Sequence, residues 1–78
     1  MNIVMSKRQR FEIVAAKRVD KIVEGLRLLG NCANKNNYEY TKEDVDLMFD
    51  EVKKALKDSQ IKFETGLNKS GIKKFKFK

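Results

Sequence analysis

The chain predicts a mainly α fold, a two-helix antiparallel hairpin over about 6–29 and 42–63, ending in a basic C-terminal tail or a short β-hairpin. Three observations carry that expectation. Apolar residues recur at helical spacing in two separate stretches. Between the stretches lies an asparagine-rich corner that carries helix stop and start signals. Proline is absent from all 78 residues, which suits long uninterrupted helices.

The first helix begins at Ser6. A serine with Gln9 three residues on is a capping-box pattern, in which each side chain bonds the other's backbone N–H. Residues 1–5, Met-Asn-Ile-Val-Met, are a frayed end or a small strand. Lys7, Arg8 and Arg10 sit against the positive end of the helix dipole, a local conflict that points to a use for those charges elsewhere, or to a solvated and frayed first turn. Phe11, Ala15, Val19, Ile22, Leu26 and Leu29 then form one apolar face. Arg10, Lys17 and Lys21 cluster roughly opposite it, beside Val14, Gly25 and Leu28. A glycine inside a helix costs about 1 kcal/mol against alanine, so Gly25 either admits a close partner or is a tolerated weak point.

Gly30 is the expected helix stop, in the left-handed conformation. Asn31, Asn34, Asn36 and Asn37 follow, and their side chains replace hydrogen bonds that the helix no longer supplies. Thr41 reads as the next N-cap, with Asp44 returning its bond and Tyr40 and Val45 at the hydrophobic-staple positions. Losing the Thr41 cap should cost about 1 kcal/mol. A self-capped corner explains these residues more economically than a recognition loop does.

The second stripe is Val45, Phe49, Val52, Leu56 and Phe63, with Met48 and Ala55 at its edge. Glu43, Asp44 and Asp46 lead it, and Lys53, Lys54 and Lys57 trail, as the dipole favours. Asp50 and Lys54 have the spacing of an ion pair. The two helices would be about 36 Å and about 33 Å long, a match for a hairpin. Such a pair leaves one side of its core open, so two copies would complete a four-helix bundle.

The division falls into a helical domain at 1–63 and a basic segment at 64–78. In the latter, Gly66 and Gly71 bracket a polar turn, and Ile61–Thr65 would supply the other strand of a β-hairpin. The alternative is a tail in which Lys73, Lys74, Lys76 and Lys78 interleave with Phe75 and Phe77, as on surfaces that bind single-stranded nucleic acid.

The run Arg18, Val19, Lys21 and Ile22, then Leu28, Leu29, Gly30 and Asn31, then Asn37 or a neighbouring asparagine with Tyr38, Tyr40, Thr41, Asp44, Val45 and Phe49, resembles small bacterial proteins of phages, plasmids and other mobile elements. The resemblance covers roughly residues 14–63. It implies a mobile-element setting and brings no activity or functional residue with it.

Net charge is +7, and residues 1–10 and 60–78 together carry +8. Basic ends on a near-neutral scaffold point to a polyanionic partner. The expected function is a non-enzymatic binding module that contacts nucleic acid or a nucleoprotein. Lys7, Arg8, Arg10, Lys17, Lys21, Lys73, Lys74, Lys76 and Lys78 would meet phosphates, with Phe75 and Phe77 stacking or packing. The alternative is a protein-binding inhibitor of a host nuclease or defence complex, of the anti-CRISPR kind, docking on an acidic patch or on guide RNA. With no histidine and one cysteine, Cys32, the chain offers no metal site, no cofactor site and no Cys–His nucleophile. Asp44, Asp46, Asp50 and Glu51 spread over several helix faces and are read as capping and surface charge. No membrane span is expected, and a cytoplasmic setting follows from the lone cysteine and the missing signal sequence.

Overall fold

The computed structural model describes residues 4–70. It contains two helices, α1 (Lys7–Asn31) and α2 (Lys42–Ser70), and no strand among the described residues. The chain divides into two units, Met1–Glu39 and Tyr40–Lys78, each organised around one helix.

In the first unit, Ser6 is the N-cap in extended conformation (φ −71°, ψ 165°). The Gln9 backbone N–H donates to Ser6 Oγ at 3.0 Å, and the Ser6 N–H donates to Gln9 Oε1 at 2.9 Å. Two of the helix's orphan donors are thereby satisfied, which fixes the entry point. Lys7, Arg8 and Arg10 are therefore the first turn of a capped helix, and that turn holds no acidic residue.

The helix ends differently from the sequence expectation. Gly30 lies inside α1 and its φ is not in the left-handed range. The cap is Cys32, right-handed at φ −74° and ψ −4°. Its N–H donates to the Leu29 carbonyl (2.9 Å), Ala33 to Gly30 (3.1 Å) and Asn34 to Asn31 (3.4 Å). This run of three-residue turns uses the last carbonyls one by one, so no positive φ is required. The Asn34 carbonyl then accepts from Asn37 and Tyr38, and its side chain accepts from the Asn36 N–H at 2.9 Å. Asn34 thus does the work expected of the asparagine cluster.

The second unit opens on the expected reciprocal cap. The Asp44 N–H donates to Thr41 Oγ1 (3.1 Å) and the Thr41 N–H to Asp44 Oδ2 (2.9 Å). An ion pair joins Lys42 to Asp46 at 2.9 Å; the expected pair Asp50–Lys54 is not among those of the described residues.

α2 also runs on past the expected end at 63. Residues 61–65, the proposed first strand of a β-hairpin, are helical, and the boundary expected between 63 and 64 falls inside α2. Leu67 explains this. It stands four residues beyond Phe63 and continues the apolar stripe, while Lys69 in the last turn suits the dipole. Together these outweigh the about 1 kcal/mol cost of Gly66. The rest of the expected tail, 71–78, lies outside the described residues. So do residues 1–3 of the opening segment 1–5, expected as a frayed end or a small strand; residues 4 and 5 are in neither helix nor strand.

No described residue is buried. Ala15, Leu29, Tyr40, Val45 and Val52 are half-covered, and the other stripe residues of both helices are exposed. No helix among the described residues is long and apolar enough to cross a membrane.

Candidate nucleic-acid interface

α1 holds seven basic and three acidic residues; α2 holds six basic and seven acidic. The positive charge of the described chain thus gathers on the first helix. Its distribution around the axis is uneven. At about 100° per residue, Lys7, Arg10, Lys17, Arg18 and Lys21 fall within an arc of roughly 100°. Val14, Gly25 and Leu28 share that arc, and no acidic residue does. From Lys7 to Lys21 the row is about 21 Å long. All five cations are exposed, and among the described residues none forms an ion pair or a side-chain hydrogen bond.

The acids of α1 lie elsewhere and are partly spent. Glu12 accepts from Arg8 Nε at 2.9 Å. Glu24 accepts from Arg27 at 2.6 Å and 3.0 Å. The Arg27 guanidinium holds the Glu24 carboxyl below its usual pKa, and Glu24 in turn raises that of Arg27. Arg8 also stands over the Phe11 ring, 5.8 Å from its centroid. The two arginines paired with acids are therefore the two that fall outside the basic arc.

Of the residues expected to bind, Lys7, Arg10, Lys17 and Lys21 are brought onto one face. Arg8 is not: it sits on the side of the apolar stripe, held by Glu12. Lys73, Lys74, Phe75, Lys76, Phe77 and Lys78 lie outside the described residues. Arg18 was missed. In the sequence it stands only among the residues that carry the mobile-element resemblance; it is one turn from Lys21 and Val14, and helical geometry alone would have placed it. Gly25 has open space around it, with nothing within 4 Å of where a Cβ would stand. Among the described residues, no group of three or more His, Cys, Asp or Glu side chains is arranged to hold a metal ion. Cys32 is a free, exposed thiol, with its Sγ 4.0 Å from the Leu28 carbonyl oxygen.

No family model matches the chain, no curated protein matches it, and no solved structure matches it.

Proposed function

We propose that this protein is a non-enzymatic nucleic-acid-binding module that lays the basic face of α1 along a phosphate backbone. The observation that carries the reading is the acid-free arc of Lys7, Arg10, Lys17, Arg18 and Lys21. Cations that are not neutralised by their own chain keep their full attraction for phosphate, and each phosphate they meet releases condensed counterions. The arc carries no Asn or Gln to read adenine edges, and its cations meet phosphate as readily as guanine, so contacts to the backbone dominate binding.

Fluorescence anisotropy with unrelated duplex DNA and with single-stranded RNA, at several salt concentrations, tests this. Five phosphate contacts predict a log–log salt slope near about −4.5 on duplex, or about 500-fold weaker binding at 200 mM than at 50 mM salt. The triple substitution Lys17→Gln, Arg18→Gln, Lys21→Gln should reduce the slope by about 2.7. Arg8→Gln should change it little. Affinity that ignores salt, or a triple variant that binds like the parent, would refute the assignment to α1.

A further inference from the structure

The five cations on the basic face of α1 are unevenly spaced along the axis. Lys7 and Arg10 form a pair; Lys17, Arg18 and Lys21 form a trio. At 1.5 Å per residue, the centres of the two groups are about 15 Å apart. At about 100° per residue, both groups point the same way about the axis. Between Arg10 and Lys17 the face runs for about 10 Å without a cation. The one side chain on the face in that interval is the exposed Val14, midway between the groups.

Along one strand of a duplex, phosphates recur every ~3.4 Å of the axis, so a helix that follows a single backbone gains from a cation at every turn. Here the middle turn has none. From this spacing we infer that the ligand is B-form duplex DNA and that α1 lies across its major groove. The pair meets one strand's backbone, the trio meets the other's, and Val14 stands over the groove between them. The inference rests on the function proposed above and divides its five phosphate contacts between two strands.

Groove dimensions select this ligand. The major groove of B-DNA is about 12 Å wide, close to the cation-free interval. The minor groove, about 6 Å wide, is narrower than the interval, so Arg10 and Lys17 would overshoot both of its walls. The major groove also offers thymine methyl groups to an apolar side chain such as Val14. Duplex RNA fits less well. Its major groove is narrow, and its wide minor groove is lined with 2′-hydroxyls, which Val14 would cut off from water without bonding. A single strand holds no second backbone at a fixed distance, and it loses conformational freedom in meeting both groups.

Fluorescence anisotropy on the full chain compares duplex DNA, duplex RNA and single-stranded DNA of equal length over a salt series. Duplex DNA should bind tightest, with a log–log slope near about −4.5. A neutral heptad of alanine and glutamine inserted between Val14 and Ala15 tests the bridge. Seven residues return the trio to within about 20° of its original direction and widen the interval to about 21 Å. One group then loses its backbone. With the trio alone the slope should fall to about −2.7, or about 40-fold weaker binding at 200 mM than at 50 mM salt. The same heptad between Val23 and Glu24, outside the interval, should leave the parent slope. Circular dichroism confirms that both variants keep their helix. A helical Val14–Ala15 insertion with the parent slope would overturn the bridge while leaving phosphate binding by α1 in place. Affinity for duplex RNA or single-stranded DNA equal to that for duplex DNA, a comparison that needs no variant, would overturn the ligand assignment. A parent chain whose affinity ignores salt would refute the phosphate reading and the bridge together.

Discussion

Ser6 and Thr41 each tie down two backbone donors through a reciprocal bond to the residue three positions on. Thr41→Ala should lower stability by about 1 kcal/mol, read as a drop in the thermal midpoint by circular dichroism. Gly25→Ala runs the other way. With open space at the missing Cβ, it should gain about 0.5–1 kcal/mol of helix stability. If nucleic-acid affinity falls while the helix strengthens, Gly25 is a point of close approach on the basic face. Glu24 gives a pH signature. Its pKa is lowered by the bond from Arg27, so the pair stabilises α1 above the carboxyl's unfolded pKa and fades as pH falls through the lowered value. A carboxyl NMR titration should place the Glu24 midpoint below its ordinary 4.5, and Arg27→Ala should return it there. Both groups are exposed, so the effect on overall stability is small.

For the helices, the sequence and the structure part company at the ends. The caps at Ser6 and Thr41 were legible because a cap is a short pattern with one physical solution. The end of α2 was not. Gly66 and Gly71 together look like a turn, and Ile61 falls off the apolar face, so periodicity seemed to stop near Phe63. Leu67 carries the stripe on, but one residue flanked by glycine and polar neighbours is a faint signal. Gly30 misled in a similar way, since glycine after a stripe commonly closes a helix, and here three tight turns made its special conformation unnecessary. Helical Cα chemical shifts across Glu64–Lys69 would check the longer α2, and extended shifts there would count against it. The binding face was half legible. Lys17 and Lys21 were placed by rotation about the helix, while Arg18 was not placed on that face and Arg8 was assigned to phosphate without its partner Glu12.

Across the molecule, Lys7–Arg10 count with α1, as the cap at Ser6 leads one to expect, so the described chain holds one basic helix and one charge-balanced helix. A peptide spanning residues 4–39 should therefore retain much of the salt-dependent affinity for DNA, and a peptide spanning residues 40–70 should retain little. The same anisotropy assay on the two peptides decides this. A strong 40–70 peptide would move the interface off α1.

The bonds that define each helix start and finish within a few residues of one another: Ser6 with Gln9, Arg8 with Glu12, Glu24 with Arg27, Thr41 with Asp44, Lys42 with Asp46. Nothing in that set waits for a distant stretch of chain. Turns of this kind close in microseconds or less, whereas a ribosome adds about 5–20 residues each second. During synthesis α1 can thus be wound, and its cationic row presented, before the residues of α2 have been joined.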